Sequence, residues 1–194
     1  MGSTGKAFEN RVEKMMLSTN MFSDNIFNPD KNFLNVYNYT EFKKYYLDFE
    51  TYLSDNPNQI FLFKNYPLFN VLDEKIEFCI KSVLNGVVSD CYVENKYNDV
   101  NGTVYQKLMH YFQQHNKTHG NNSNSFMILV YDGKQFINDS KTKTCVQDIK
   151  ENHIGFNYRQ LILSVTDFEQ VFIEKLRVCT DMTKIFREMK AEGY

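Results

Sequence analysis

"KIEFCIKSVLNGVVSDCYVENKY", Lys75–Tyr97, contains two runs in which apolar and polar residues alternate, separated by Asn85-Gly86. Alternation with a period of two predicts β-strands that have one face toward a core. Asn-Gly between two such runs is typical of a two-residue type I′ turn, because both residues tolerate the positive φ that this turn needs. The stretch therefore predicts a β-hairpin.

The register of this hairpin places two acidic side chains next to each other. If Asn85 and Gly86 form the turn, Leu84 pairs with Val87, and Glu77 pairs with Glu94 further along the strands. Like charges directly opposite each other destabilise a sheet. Three arrangements would offset the repulsion: a bound divalent cation such as Mg²⁺, a raised pKa with one shared proton, or neutralisation by nearby lysines. The sequence leaves all three open.

The two faces of the hairpin differ in polarity. One face is mostly apolar and is predicted to meet the core: Ile76, Phe78, Ile80, Cys91, Val93 and Asn95. The other face is charged and is typical of a solvated sheet surface: Lys75, Glu77, Lys81, Asp90, Glu94 and Lys96. On the charged face Lys81 lies opposite Asp90, which predicts a structural ion pair.

Apolar periodicity predicts helices and strands on both sides of the hairpin. Helical spacing of apolar residues predicts helices over 5–17, 40–53, 104–115, 142–150, 166–176 and 180–191. Apolar runs predict strands over 60–63, 126–131 and 160–165, the last two buried on both faces. Thr166 and Glu169 form the pattern of a capping box. This order of elements predicts an α/β fold with a central mixed β-sheet flanked by helices.

The composition indicates a single folded domain. The chain has 194 residues, 42% of them hydrophobic, and a formal net charge of -2. This balance does not suit a non-specific nucleic-acid coat protein, although a local basic cleft remains compatible with it. The four cysteines lack a C-x-x-C pair, and no signal peptide or long apolar run is recognisable, so we expect a cytoplasmic protein without a membrane span. The spacing of His110, His115 and His119 does not favour a zinc site.

An acidic residue on one strand followed by Glu-x-Lys on the next strand resembles the PD-(D/E)xK nuclease superfamily. The acid is Glu77, the triplet is Glu94 to Lys96, and Gly102-Thr103 and Gln106-Lys107 follow as in one restriction-enzyme-like subgroup. "MILVYDG" (127–133), "LILSVTDFEQVF" (161–172) and "GKAFENRVEKMM" (5–16) are similar to later and earlier parts of such nucleases. The resemblance extends over about Glu74 to Phe172 and the first helix.

The resemblance implies a restriction-endonuclease-like layered fold and a role for each matching residue. Glu77, Glu94 and the Asn95 carbonyl would hold Mg²⁺. Lys96 would orient or help to deprotonate the attacking water and offset phosphate charge. Gln106 and Lys107, at the start of a helix, would contact a phosphate. Glu9 of the first helix would point toward the site.

One position departs from the family pattern. The first acid of the family is usually Asp, whereas Glu77 is longer by one methylene group. Asp73 is a rival, but the predicted register places it opposite Asn98, near the start of the strand.

The resemblance implies an Mg²⁺-dependent endonuclease that cuts double-stranded DNA, of the type II restriction kind. We expect residues 1–194 to form one such domain, with a helical N-terminal part (1–58), a catalytic core (59–178) and a C-terminal helix (179–194). A homodimer is expected because two-fold symmetry matches two antiparallel DNA strands. The Asn-rich segments 20–38 and 117–125 are candidate DNA contacts. The alternatives are another nuclease of the same fold, for nicking, repair or junction resolution, and a non-catalytic DNA-binding or interaction module with a relic site.

Overall fold

The computed structural model describes residues 3–22, 51, 58–67, 75–97, 104–132, 146–151 and 156–194. The helix predicted over 40–53 lies outside this part apart from residue 51, which is helical. The predicted Gly102-Thr103 pair and the rival acid Asp73 also lie outside it.

Five strands and five helices are described. The strands are β1 (Ile60–Pro67), β2 (Lys75–Leu84), β3 (Val87–Tyr97), β4 (Ser125–Asp132) and β5 (Gln160–Ser164). The helices are α1 (Ser3–Leu17), α2 (Val104–His119), α3 (146–151), α4 (165–178) and α5 (Met182–Ala191). Helix α4 is α-helical over Val165–Asp167, π-helical over Phe168–Ile173 and α-helical again over Glu174–Val178.

The strands form one mixed sheet in the order β1-β2-β3-β4-β5. Strands β1, β2 and β3 are antiparallel neighbours, whereas β3, β4 and β5 run parallel. Parallel strands need a crossover connection, and α2 and α3 lie in sequence where these crossovers occur. The prediction of an α/β fold with a central mixed sheet is confirmed.

The predicted hairpin is confirmed in its turn and in its register from Leu84–Val87 to Phe78–Val93. Asn85 has φ 52° and Gly86 has φ 77°, so both residues have the positive φ of a type I′ turn. Leu84 pairs with Val87 and Lys81 with Asp90. The Lys81 Nζ lies 2.6 Å from Asp90 Oδ1, which confirms the predicted ion pair.

Apolar side chains cover both faces of the sheet. The first core lies between the sheet and α1, α4 and α5, and it includes Phe8, Val12, Phe78, Ile80, Cys91, Val93, Phe168 and Phe186. The second core lies between the sheet and α2 and α3, and it includes Phe63, Tyr66, Ile76, Cys79, Tyr92, Leu108, Phe112 and Ile149. The result is three layers, with a helical layer on each side of the sheet.

The charged face of the hairpin is covered, although its residue pattern is also typical of a solvated sheet surface. Lys81 is fully buried and Glu94 is only 2% exposed, because α2 packs over this face. The assignment of Ile76 to the same face as Phe78 and Ile80 is wrong. Ile76 packs in the second core, so the alternation of side chains is interrupted between it and Phe78, at Glu77.

Helix α4 begins earlier than its sequence pattern predicted. Ser164 is the N-cap, and its Oγ accepts a hydrogen bond from the Asp167 backbone N–H at 3.1 Å. The capping pair is therefore Ser164 and Asp167 rather than Thr166 and Glu169, at the same spacing of three residues.

A buried polar network fastens the amino ends of β4 and β5 to α2. His115 is fully buried, with Nε2 3.0 Å from Ser125 Oγ and Nδ1 3.2 Å from Gln160 Nε2. Burial, and then the charges of His119 and Arg159, lower the pKa of His115 to about 3, so the ring is neutral. His115 thus has structural partners here.

In the described part of the chain, no helix has the length and apolar character needed to span a membrane.

Candidate active site

Two acids and a lysine of the charged hairpin face meet near the end of β3. Glu94 and Lys96 lie on β3 and Glu77 on β2, and all three side chains are buried or partly buried. Tyr111 of α2 completes the group from the second helical layer. The two strands supply the acids because the tight turn fixes their register, and α2 covers them because the β3-to-β4 crossover lies on this side of the sheet.

Side-chain hydrogen bonds of the two glutamates replace the backbone hydrogen bonds at one end of the β2–β3 pair. Regular pairing ends at Phe78 and Val93. Beyond that point the Glu77 backbone N–H donates to Glu94 Oε2 at 3.3 Å, and the Asn95 backbone N–H donates to Glu77 Oε2. Each carboxyl group is therefore held by the backbone of the opposite strand. This arrangement accounts for the interrupted alternation at Glu77.

Lys96 lies between the acids and the aromatic ring of α2. Its Nζ is hydrogen bonded to Glu94 Oε1, and it lies 3.2 Å from Tyr111 Oη and 4.4 Å from the centroid of the Tyr111 ring. The side chain of Glu94 is 3% exposed and that of Lys96 is 23% exposed, so the ion pair is buried at its acidic end and partly exposed at its basic end. An ammonium group over an aromatic face gains a cation–π attraction in addition to the hydrogen bond.

The electrostatics of the group follow from burial and from the like charges. Burial, then the charge of Glu94, raise the pKa of Glu77 to about 9. A hydrogen bond between the two carboxyl groups acts in the same direction, so the pair shares one proton at neutral pH. Burial lowers the pKa of Lys96, but the charges of Glu94 and Glu77 outweigh it and raise this pKa above its usual value. Lys96 therefore stays a cation.

Two of the three arrangements that would offset the acid pair are thus present together. The proton is shared between Glu77 and Glu94, and Lys96 neutralises the remaining charge. Burial, and then the charge of Glu94, also raise the pKa of Tyr111 to about 12, so its hydroxyl keeps its proton.

The donor atoms fit a hard divalent cation. Carboxylate oxygens are preferred by Mg²⁺, which commonly takes one or two carboxylates from the protein and keeps waters or phosphate oxygens as its other ligands. Within the described residues no group of three or more His, Cys, Asp or Glu side chains converges, so Glu77 and Glu94 would act as a pair. A cation at this position would replace the shared proton and compete with Lys96 for Glu94.

The other residues predicted for the site are found in different places. Glu9 of α1 lies 3.4 Å from Lys64 Nζ of β1, on the side of the sheet that carries the first core, whereas Lys96 faces α2. Gln106 and Lys107 lie within the first turn of α2, and their side chains are outside the described part.

The segment 117–125, a candidate DNA contact, begins in the last turn of α2 and leads into β4, at the opposite end of the sheet from Lys96. Since Ser125 pairs with Asp90 and Tyr131 with Lys96, about 20 Å of strand separates the two ends.

Tyr111 is the residue of the site that the sequence pattern did not indicate. The helix predicted over 104–115 is indicated by an apolar stripe of Tyr105, Leu108, Met109 and Phe112, and Tyr111 flanks that stripe. The one sequence signal that connects Tyr111 with the stripe is its spacing of three residues from Leu108, which makes the two side chains neighbours on the helix surface. Its partner Lys96 lies on another element, so periodicity alone could not connect the two.

The side chain of Asn95 is the unusual polar group beside the site. Asn95 is 6% exposed, and neither its amide oxygen nor its amide nitrogen has a hydrogen-bond partner among the described residues. Its side chain alternates with Glu94 and Lys96 and therefore faces the other side of the sheet. Only the backbone of Asn95 takes part in the site, through its N–H bond to Glu77.

Replacing Asn95 by leucine should therefore stabilise the protein by about 1 to 2 kcal/mol, because two buried polar atoms without partners are removed. Urea unfolding would measure the change. Asn116→Leu is the matched control and should destabilise, since Asn116 Oδ1 accepts hydrogen bonds from Gln160 at 2.9 Å and Asn157 at 2.8 Å. A loss of stability in Asn95→Leu would mean that the amide has a polar partner and would refute this interpretation.

Comparisons of the chain with protein-family models, with curated proteins and with solved structures found no match. Membership of the PD-(D/E)xK superfamily is therefore a proposal.

Proposed function

We propose that this protein is a metal-dependent endonuclease of the PD-(D/E)xK type that hydrolyses phosphodiester bonds in double-stranded DNA. The observation that supports this proposal best is the convergence of Glu77, Glu94 and Lys96 at the end of β3, where each carboxyl group accepts a backbone hydrogen bond from the opposite strand and Lys96 binds Glu94. An acid pair next to a lysine supplies both a cation site and a positive charge for a phosphate. The mixed five-stranded sheet with helices on both faces is compatible with a restriction-endonuclease-like fold.

The metal would be held by the carboxylates of Glu77 and Glu94 together with the Asn95 carbonyl. When bound, Mg²⁺ would supply charge relief to the phosphate and a lower pKa for the attacking water. The acid pair is buried and Lys96 is partly exposed, so we expect substrate to approach from the side of Lys96.

Lys96 acts as a cation in this proposal. Its raised pKa leaves it protonated, so it does not serve as the general base in the metal-free state. An ammonium group with three donors can bind a phosphate oxygen and orient the water at the same time. Tyr111 holds the Nζ in place through its hydroxyl and its ring. The remaining phosphate contacts are assigned to Gln106 and Lys107 at the N-terminus of α2.

Within this class we favour a type II restriction endonuclease that acts as a cytoplasmic homodimer. A chain of 194 residues that carries this acid pair can cut both DNA strands when two copies are related by a two-fold axis.

The test is cleavage of supercoiled plasmid by the purified protein, in Mg²⁺ and in EDTA. Discrete fragments that require Mg²⁺ support a restriction enzyme, and random degradation supports a general nuclease of the same fold. Absence of cleavage across several plasmids and divalent metals (Mg²⁺, Mn²⁺) would overturn the endonuclease proposal.

A second candidate is a DNA-binding or interaction module with a relic site. It is favoured by the internal neutralisation of the acid pair, because a shared proton and Lys96 together satisfy both carboxyl groups without a metal. A DNA gel shift that persists in a protein without cleavage activity would select this candidate.

A further inference from the structure

The turn that follows α2 borders a polar cavity at the end of the sheet opposite Lys96. This cavity has a volume of about 450 Å³ and is lined by Asn116, Lys117, Thr118, Gly120, Asn121 and Asn122. The side chains that line it are amides, a hydroxyl group and an ammonium group, so the wall is polar and carries a positive charge. A ligand of this wall must therefore offer polar groups.

A buried arginine lies on the inner side of the turn. The Arg159 guanidinium donates to the backbone carbonyls of His119 at 3.1 Å and Gly120 at 2.8 Å, and also to that of Asn122. Arg159 is 6% exposed, and all three of these acceptors are uncharged. The partial negative charge at the C-terminus of α2 offsets about half of the guanidinium charge. The turn thus keeps a positive potential, which attracts an anion to its outer side.

The amide groups of Asn116 and Asn122 have their oxygens bound within the protein. Asn122 Oδ1 accepts from the Asn124 backbone N–H at 3.0 Å. Asn116 Oδ1 accepts from Asn157 Nδ2 at 2.8 Å and from Gln160 Nε2 at 2.9 Å. A backbone N–H bonds only to the oxygen of a side-chain amide, so the orientation of the Asn122 amide is fixed. Its Nδ2 group, a donor, is therefore the part that remains for a ligand.

The wall presents donors to a ligand, whereas the carbonyl and amide oxygens described above are bound inside. The donors are the Nδ2 group of Asn122, the ammonium group of Lys117 and the hydroxyl group of Thr118, all on exposed residues. The oxygens of a phosphate group are acceptors, and their negative charge strengthens each hydrogen bond. The adenine edge in the major groove combines a donor with an acceptor, so it would use this wall less completely.

Helix α2 connects the cavity with the candidate active site. Tyr111 of this helix contacts Lys96, and Lys117 lies about two turns further along it. Along β3 and β4 the two ends of the sheet are about 20 Å apart. A DNA strand carries one phosphate about every 3.4 Å of helix axis, so phosphates about six positions apart span this distance.

We propose that this cavity binds a phosphate group, and that in a DNA complex it holds a backbone phosphate about six nucleotides from the one at Lys96. The assignment to a DNA phosphate rests on the proposed endonuclease function. The anion site itself rests on the cavity, its donors and the buried Arg159.

The decisive variant is Asn122→Asp. Its carboxylate still accepts from the Asn124 N–H on the inner side, but a negative charge replaces the donor toward the cavity. Gln113→Glu is the matched control, because it adds the same charge at an exposed position of α2 outside the lining of the cavity. Lys117→Gln, a second variant, removes the positive charge of the wall, and Lys184→Gln on α5 is its control. Thermal unfolding verifies that each variant is folded.

The experiment uses the full chain in EDTA, so that no cleavage occurs. Protein NMR follows the backbone amide signals of residues 116–122 during a titration with inorganic phosphate, and fluorescence anisotropy measures the affinity for a labelled duplex at several salt concentrations. We expect phosphate to shift these signals in the wild type.

Asn122→Asp should weaken the binding of both phosphate and DNA by about ten-fold or more, because a carboxylate repels the anion that the amide attracts. Lys117→Gln should reduce the slope of log affinity against log salt by about 1. Gln113→Glu and Lys184→Gln should stay within about two-fold of the wild-type affinities, since neither residue lines the cavity.

The outcomes separate the anion site from the proposed function. Phosphate shifts together with an unchanged DNA affinity in Asn122→Asp would overturn the DNA phosphate and support a site for a small phosphate ligand. Phosphate shifts in a wild type that neither binds nor cuts DNA would support the site while the endonuclease proposal fails. If Asn122→Asp and Gln113→Glu show the same phosphate titration and the same DNA affinity, the cavity is not an anion site.

Discussion

Replacing Lys96 by alanine should reduce Mg²⁺-dependent DNA cleavage by about a hundred- to a thousand-fold, the usual cost of removing one group that stabilises charge in a transition state. Lys96 is the partly exposed cation next to Glu94, and its raised pKa keeps it charged across the pH range of the assay. A single-turnover cleavage rate measures the effect on chemistry, and an anisotropy titration in EDTA measures DNA binding separately.

Two further variants make the result specific to the charge of Lys96. Lys96→Gln keeps a hydrogen-bond donor toward Glu94 and Tyr111 but not the charge, so it should be nearly as slow as Lys96→Ala. Lys184→Ala, an exposed lysine of α5, should cut DNA at the wild-type rate. A Lys96→Gln rate within two- to three-fold of wild type would show that the lysine has no electrostatic role, and the assignment of the site would fall.

Replacing Glu77 by glutamine should make the metal-free protein markedly more stable at alkaline pH. The folded protein favours the protonated form of Glu77, whose pKa of about 9 lies above the usual value of 4.5. The resulting stabilisation is present in full below about pH 4.5 and is lost as the pH rises toward 9. Glutamine is neutral throughout, and it can still accept from the Asn95 N–H and donate to Glu94.

The expected difference between Glu77→Gln and wild type is small at pH 5 and reaches up to about 5 kcal/mol at pH 9, since one pKa unit corresponds to 1.36 kcal/mol. For a chain of this size the difference corresponds to a rise in Tm of about 10 °C. Thermal unfolding in EDTA at pH 5, 7 and 9 measures it. Glu174→Gln, an exposed acid paired with Arg177, should show no such pH dependence.

The wild type and Glu77→Gln also test whether Mg²⁺ binds at the acid pair. Mg²⁺ at pH 8 should raise the Tm of the wild type, because a ligand stabilises the folded form that binds it, and it should have little effect on Glu77→Gln. An equal Tm for the two proteins at pH 5 and at pH 9 would mean that Glu77 and Glu94 do not share a proton, and would contradict the electrostatic account of the site.

Local sequence signals predicted the hairpin and, through its register, the proximity of Glu77 and Glu94. Positive φ at Asn85 and Gly86 is a property of these two residue types, so the register that brings Glu77 to Glu94 could be predicted without tertiary information. The continuous apolar runs of β4 and β5 likewise reflect burial on both faces, which is common for parallel strands.

Features that depend on packing between distant elements could not be predicted in this way. The burial of the charged hairpin face follows from α2 lying over it, and alternating charged residues look the same in sequence whether or not a helix covers them. The contact between Lys96 and Tyr111, and the ion pair of Glu9 with Lys64 on the other side of the sheet, both depend on which face each helix occupies. The break in alternation at Glu77 arises from carboxyl-to-backbone bonds that no periodicity reveals.

The hydrogen bonds that hold the turn after α2 reduce the conformational entropy that a partner would lose by binding at that end of the molecule. Arg159, 6% exposed, donates hydrogen bonds to the backbone carbonyls of His119, Gly120 and Asn122, and this turn lines an open cavity of about 450 Å³. The backbone of the turn is therefore ordered as part of folding. A partner that contacts its asparagine side chains would lose little conformational entropy in the loop, so even a small contact area there would contribute most of its interaction energy to affinity.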